Sequence, residues 1–222
     1  MADVGWGWLE QYEQFGRLGD HKHDFETITF VEAKTKYSSF MHASHGMIFA
    51  KDDRILWKLY KAKAAVLMQL RFDGVFGFPG GLVEPGEDPV DGLNREMEEE
   101  IGLDLKKHSF LDSDHIASFV NSEKSLVLHF FLKEVTLEDF CVLEMNNLRA
   151  PEYGTETYGV VRVPLFTMGD GVRGFPAFLA NHFAGNAREE LLMALKHCNI
   201  LTVQEIQTAL VSSEEFVTSV RS

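Results

Sequence analysis

The sequence is poor in cysteine and in positive charge, and it has no long apolar run. Only two cysteines occur in 222 residues, Cys141 and Cys198, far apart and in no metal-ligand spacing. That excludes a disulfide framework and a thiolate zinc site, and it predicts reduced core thiols in an intracellular protein. No apolar stretch approaches the roughly 18 residues of a membrane span, and the N-terminus lacks a basic-then-apolar leader, so no membrane partner is expected. Lys and Arg number 21 against 34 Asp and Glu, a net charge of −13. That balance argues against broad adhesion to nucleic acid or anionic membranes, while leaving room for a local basic groove. Nor is there a Lys/Arg cluster, an internal repeat or a low-complexity segment.

What the chain does have is core-forming material: 45% hydrophobic residues and 18 Phe. Its length is long for one domain and short for two. Residues 1–40 read as an N-terminal extension, with Trp6, Trp8 and Tyr12 in an amphipathic element or arm, and with His21 and His23 in a solvated loop. Phe25–Val31 alternates loosely as a strand. Gly46–Ala50 and Arg54–Trp57 flank a hairpin-like turn at Lys51–Asp53. Ala64–Arg71, Val75–Phe78, Leu126–Val135 and Tyr158–Val163 read as strands, and Leu137–Met145 as a helix. The last third is helical, over about 175–183, 186–197 and 202–211, with Asn186 and Thr202 as caps. Residues 212–222 read as a tail. Strands and helices mixed without a linker suggest one α/β domain over 41–211.

The most informative stretch is 78–103. Gly81 is followed after five residues by Glu87, and after seven more by Arg95-Glu96-Met97-Glu98-Glu99-Glu100-Ile101-Gly102-Leu103. Asp88 is a good helix N-cap, Pro89 suits the first turn, and Gly102 suits the stop. Val90, Leu93, Met97 and Ile101 recur at helical spacing. Glu96, Glu99 and Glu100 then share one helix face at i, i+3 and i+4. Like charges this close repel, and a purely solvated face would more often interleave Lys. The functional reading is a site for hard divalent cations with oxygen ligands, Mg²⁺ or Mn²⁺.

This pattern resembles, at all nine fixed positions, the signature of the Nudix hydrolases. The wider chain, from about His42 to Leu201, resembles the Nudix family that decaps nucleolar snoRNA and hydrolyses inosine diphosphates. Ala65–Gly74, Gly77–Gly81, Asp91–Glu96, Val161–Leu165, Asp170–Val172 and Ala187–Glu189 carry the likeness. The resemblance implies a Nudix α/β/α sandwich with a mixed sheet and extra C-terminal helices. It also implies a homodimer and a nuclear or nucleolar location. The substrates it implies are purine nucleoside diphosphates (IDP, dIDP or GDP) and capped RNA. The metal ligands map onto Gly80, Glu96, Glu99 and Glu100. Arg95 would orient a neighbouring carboxylate such as Glu87, and Glu99 or Glu100 would take the proton from water.

The resemblance also places His45, Arg71 and Phe78 around the purine. Read alone, they are a core histidine, a strand-end charge and core packing. The chain departs from the family at two base-contacting positions, with Asn186 for Ser and Glu190 for Gln. An ionised Glu190 can only accept hydrogen bonds, so it would favour guanine, tolerate hypoxanthine and repel adenine. The bland alternative is a solvent-facing Glu190 paired with Lys or Arg. Two rival readings stand beside hydrolysis of free nucleotides. One is a binding-only Nudix protein, although Glu87, Glu96, Glu99 and Glu100 are all intact. The other is a dedicated RNA-cap hydrolase, for which the sequence offers aromatics but no obvious basic run.

Overall fold

The computed structural model describes residues 25–221, so the expectations for Trp6, Trp8, Tyr12, His21 and His23 lie outside the described residues. In chain order the elements are β1 (Glu26–Ile28), α1 (Phe30–Thr35), β2 (Met41–Leu56), β3 (Tyr60–Arg71), β4 (Phe76–Gly77) and β5 (Gly80–Leu82). Next come α2 (Pro89–Ile101), α3 (Leu105–His108), β6 (His115–Asn121), β7 (Leu126–Glu134) and α4 (Leu137–Asn146). β8 (Thr157–Arg162), α5 (Phe175–Leu179), α6 (Ala187–His197) and α7 (Val203–Arg221) complete the chain. The sheet runs β1-β6-β7-β2-β3-β4, with β5 beside β2 and β8 beside β3. β2 and β7 are parallel while the neighbouring pairs are antiparallel, so the sheet is mixed.

Strand alternation builds the layers. On β2, Met47 and Phe49 face one side and Ile48 and Ala50 the other, because successive side chains point to opposite faces. The first face joins Val66, Met68, Phe130, Phe175, Leu191 and Leu195 in the core under α5, α6 and α7. The second joins Leu67, Phe131, Phe140, Leu93, Met97 and Ile101 under α2 and α4. This is the expected α/β/α sandwich with extra C-terminal helices. Leu93, Met97 and Ile101 are fully buried. Burial of such side chains is worth about 1.5–3 kcal/mol each, which fixes the rotation of α2 on the sheet.

Three expectations are corrected. Phe25–Val31 is not one strand, because Thr29 and Glu32 form a reciprocal capping box that starts α1 at Phe30. The β2–β3 hairpin does not turn at Lys51–Asp53. There Asp52 is 3% exposed and held by Arg54, and the register shifts between Asp52 and Ile55, so the strand continues through a bulge to Leu56. The expected tail at 212–222 continues α7 as far as Arg221. The Thr202 cap forms through a reciprocal bond with Glu205. Asn186 occupies the cap position of α6 without making a side-chain cap bond.

The N-terminal segment is fastened by a chain of imidazoles. Phe30 stacks on His115 at 4.2 Å and meets His129 edge-on. His42 Nε2 lies 3.1 Å from the Tyr37 carbonyl, which forces it to be the donor nitrogen. His42 Nδ1 must then accept from His129 Nε2 at 2.8 Å. His129 Nδ1 in turn accepts from Ser118 Oγ, and Ser118 Oγ accepts from His115 Nε2, both at 2.8 Å. Every bond is satisfied with all three rings neutral. Burial first, then His42 and His115, holds His129 down at about 3.

Candidate active site

The helix that carries the acidic face is set by its ends. Asp88 accepts from the Val90 N–H at 3.0 Å, Pro89 opens the first turn, and Gly102 closes the helix in the left-handed region (φ 67°). Two groups from the segment after α4 cover carbonyls of its last turn. The Glu152 N–H donates to the Glu99 carbonyl at 3.0 Å, and Asn147 Nδ2 donates to that of Glu100 at 3.2 Å. Those bonds carry the Glu152 side chain to α2.

Glu96, Glu100 and Glu152 each direct a carboxylate oxygen into one spot, and the three oxygens lie within 4.8 Å of one another. The β5 backbone forms the facing wall. A Cβ on Gly80, whose φ is 132°, would overlap the Ser44 carbonyl oxygen at 2.1 Å, and one on Gly81 would meet the Glu96 carboxylate at 2.8 Å. Glycine at both positions is what lets backbone approach this closely. The Gly80 N–H donates to Glu100 Oε2 at 2.7 Å and Gln69 Nε2 donates to Oε1 at 3.0 Å. Arg95 serves several carboxylates. It forks onto both oxygens of Glu87 at 3.2 Å each, reaches Glu96 at 2.8 Å and Glu99 at 3.1 Å, and touches the Leu82 carbonyl at 3.0 Å.

Electrostatics separate these groups. Burial, opposed by the bonds from Gly80 and Gln69 and reinforced by Glu96 and Glu152, pushes Glu100 up to about 7. Burial also raises Glu96, against Arg95 and with Glu99 and Glu156. Glu152 is raised by burial and then by Glu156, Glu96 and Glu99. Burial acts to raise Glu87 as well, but the Arg95 fork and the Glu84 N–H hold it below the usual carboxylate range. Among the described residues Glu100 and Glu152 make no ion pair and Glu96 shares Arg95 with Glu87 and Glu99, so the one guanidinium leaves the three convergent carboxyls under-compensated.

The donor set fits a hard cation. All three ligating groups are carboxylates, and Glu152 Oε2 is buried without any hydrogen-bond partner. Of the sequence-expected ligands, Glu96 and Glu100 belong to this cluster and Gly80 lines it. Glu99 is partly exposed, with its Oε2 turned to Arg95. Glu152 was missed. It sits alone in a turn more than 50 residues beyond α2, and no spacing rule connects it to the helix.

The residues that the resemblance places around a purine are brought together in part. β4 hydrogen-bonds to the segment before α6, through Phe76 N to the His182 carbonyl and Ala184 N to the Phe76 carbonyl. A Cβ on Gly77 would touch Arg71 Cδ at 3.1 Å and Ala184 Cβ at 3.6 Å, so Arg71 and the entry to α6 meet over the bare face of one glycine. Arg71 pairs with Asp73 at 3.2 Å. His45 lies opposite Gly80 in the β2–β5 ladder, and its imidazole is pushed down to about 4 by burial and by the Arg71 charge.

Two expectations change. Phe78 is 2% exposed and packs on Phe130 at 5.0 Å, so its ring is part of the core. Glu190 is neither solvent-facing nor paired with a cation. It is 2% exposed, its Oε1 has no partner, and burial followed by Glu189 pushes it up to about 8, against a bond from Asn186. Burial therefore favours its neutral, protonated form over an acceptor-only carboxylate. Asn186 is buried beside it.

Comparison with known proteins gives the following. The family model described as U8 snoRNA-decapping enzyme-like matches residues 42–201. The U8 snoRNA-decapping enzyme of Homalodisca vitripennis is 44% identical over 178 residues, covering 80% of this chain and 95% of that protein. The Tudor-interacting repair regulator protein of Homo sapiens is 34% identical over 194 residues, covering 86% of this chain and 90% of that one. The crystal structure of a mutT/nudix family protein from Listeria innocua aligns with a TM-score of 0.47 at 14% identity, over 73% of this chain and 98% of that one.

Proposed function

This chain belongs to the U8 snoRNA-decapping enzyme-like family of Nudix hydrolases, and from that premise we propose that it hydrolyses phosphoanhydride bonds in purine nucleoside diphosphates and capped RNA with the help of Mg²⁺ or Mn²⁺. The observation that carries the reading is the convergence of Glu96, Glu100 and Glu152 within 4.8 Å beside the Gly80–Gly81 wall. A binding-only protein has no need of three carboxyls crowded at one point with only Glu96 paired to an arginine, since their mutual repulsion lowers stability.

Glu96, Glu100 and Glu152 would hold the cation, with the Gly80 carbonyl as a further oxygen. A bound divalent cation neutralises phosphoryl charge and lowers the pKa of water. The chain's own residues do the remainder. Both oxygens of Glu100 already accept from Gly80 and Gln69. Glu99 is partly exposed and has only Oε2 engaged, by Arg95. We therefore assign Glu99 the role of accepting the proton of the attacking water. Arg95, by clamping Glu87, Glu96 and Glu99 together, holds that oxygen at a fixed distance from the cluster.

His45, Arg71, Asn186 and Glu190 would receive the base. A neutral Glu190 offers one donor and one acceptor, the same pair as the amide at the matching family position. Hypoxanthine, guanine and adenine can all satisfy such a group, so the purine is selected at neutral pH without strong discrimination among the three. The proposal also takes over from the resemblance a homodimeric assembly and action on nuclear RNA. The test is turnover of IDP, GDP, ADP and capped RNA at equal concentration with Mg²⁺ or Mn²⁺, with products identified by mass. Turnover of none of them, or turnover only of a substrate without a phosphoanhydride, would sink the reading.

A further inference from the structure

The far end of the β2–β3 hairpin carries a surface that the hydrolytic site does not use. The chain turns through Trp57 and Lys58, closed by the Leu59 N–H donating to the Leu56 carbonyl at 3.0 Å. Both residues adopt the left-handed region, at φ 48° and 61°, which is strained for side chains of this size. Trp57 is 75% exposed, and Ile55 and Leu59 beside it are exposed too. Among the described residues none covers this indole, which is held out at a strained turn.

Charge collects at the same place. Arg54, Lys58, Lys61 and Lys63 lie here, and no Asp or Glu occurs from Arg54 to Phe72 in a chain of net charge −13. Arg54 is neutralised by Asp52, and Lys63 is paired with Glu205. Lys58 and Lys61 make no ion pair among the described residues. Beside them a cavity of about 410 Å³ opens between the hairpin and α7. Its wall includes the stacked rings of Tyr60 and Phe166, 5.2 Å apart and 21° from parallel, with Gln204, Thr208 and the Lys63-paired Glu205 among its polar groups. The basic residues are spaced two to four apart in sequence, which hides them as a run, and the hairpin brings them to one tip.

We propose that the tip of the β2–β3 hairpin, Trp57 with Lys58 and Lys61 and the adjoining Tyr60–Phe166 groove, binds the single-stranded body of an RNA substrate. An exposed indole beside two half-buried, mutually stacked rings and two lysines that make no ion pair among the described residues fits a sequence-tolerant single-strand platform, which combines aromatic stacking with positive charge. β3 runs from Tyr60 at this tip to Gln69, which touches Glu100. Nine residues of strand span roughly 30 Å, so a polynucleotide whose 5′ end sits at the carboxylate cluster reaches the hairpin along one strand. The substrate side of this inference rests on the decapping reading, while RNA binding itself does not.

The experiment uses the full chain and an uncapped, fluorescently labelled single-stranded oligoribonucleotide. A Lys58→Glu/Lys61→Glu variant is compared with wild type and with Lys106→Glu/Lys196→Glu, which alters two exposed lysines elsewhere by the same net charge. The hairpin variant is expected to bind roughly tenfold more weakly. The slope of log K against log salt should fall by about 1.4, the value for two lost single-strand phosphate contacts. Trp57→Ala should weaken binding about tenfold with little change in salt slope. IDP turnover should be unchanged in all variants. Wild type that binds no RNA, or hairpin variants that bind as the control does, overturn the assignment. So does a hairpin variant whose only change is conversion of a dimer to a monomer, which would make the tip a contact between copies of this chain. RNA bound as expected but capped RNA left uncleaved would count against the decapping reading and support the hairpin assignment.

Discussion

Replacing Glu100 by Gln should make the metal-free protein more stable while removing its activity. Glu100 is 3% exposed and its carboxyl is pushed up to about 7 from an ordinary value of 4.5. Below 4.5 the folded and unfolded states both carry the proton. Between 4.5 and about 7 only the folded state does, so stability falls as pH rises through that window, and above it the full penalty stands. At ~1.4 kcal/mol per pH unit, the span from 4.5 to about 7 amounts to about 3 kcal/mol. Gln removes that penalty and can keep both bonds. Its oxygen accepts from the Gly80 N–H. Its amide can donate to Gln69, whose Oε1 has no partner at present, after a flip of the Gln69 side chain. In EDTA at pH 8 the variant should melt about 6–12 °C above wild type, using ~2–4 °C per kcal/mol for a chain of this size. The gap should close near pH 4.5. Saturating Mg²⁺ should raise wild type and leave the variant unmoved. Thermal melts across pH with and without metal read all three. A variant less stable than wild type at pH 8, or a gap independent of pH, would refute the reasoning.

Other outcomes follow from the same geometry. With Glu190 raised to about 8, the GDP-to-ADP ratio of kcat/KM should climb as pH rises through 8, because the ionised acid accepts from both guanine donors and repels adenine N1. Glu190→Gln should flatten that climb, and a flat wild-type profile would refute it. His129 is held down at about 3 against 6.5 in the unfolded chain. The unfolded state alone therefore takes up a proton as pH falls below 6.5, and stability drops by about 2 kcal/mol at pH 5. Urea midpoints from pH 7 to 5 should show this in wild type and a flatter limb in His129→Gln. Phe78→Ala should cost about 3–5 kcal/mol of stability as a core truncation, with KM for IDP in the folded fraction little changed. A large KM rise at unchanged stability would restore Phe78 as a base contact. Glu152→Gln should weaken Mn²⁺ binding at least as much as Glu99→Gln does, as calorimetric titration would show. Equal Mn²⁺ affinity in Glu152→Gln and wild type would remove Glu152 from the cluster.

Legibility followed the range of the interactions. α2 was readable to its ends because its cap, its first-turn proline, its C-terminal glycine and its apolar stripe are all local signals. The strand-rich centre was readable because the β2, β3 and β7 runs are buried on both faces. α1 was missed because a Thr29–Glu32 capping box outweighs a loose alternation. The hairpin turn was misplaced because Lys51-Asp52-Asp53 has turn composition, whereas the observed turn uses Trp57 and Lys58, which have none. At the site, Glu96 and Glu100 come from one helix face, but Glu152 reaches them only through a backbone bond to the Glu99 carbonyl. The protonation of Glu190 was equally hidden, since charge state is set by burial that no spacing reveals.

The most direct test of the account is metal add-back. EDTA-treated wild type, Glu96→Gln and Glu152→Gln are each titrated with Mn²⁺ and Mg²⁺ while IDP and capped-RNA turnover are followed. Wild type should be inactive in EDTA and recover with either ion, and both variants should bind the ion weakly and stay nearly inactive at concentrations that saturate wild type. Full turnover in EDTA, or wild-type recovery in either variant, would contradict the assignment of the three carboxylates.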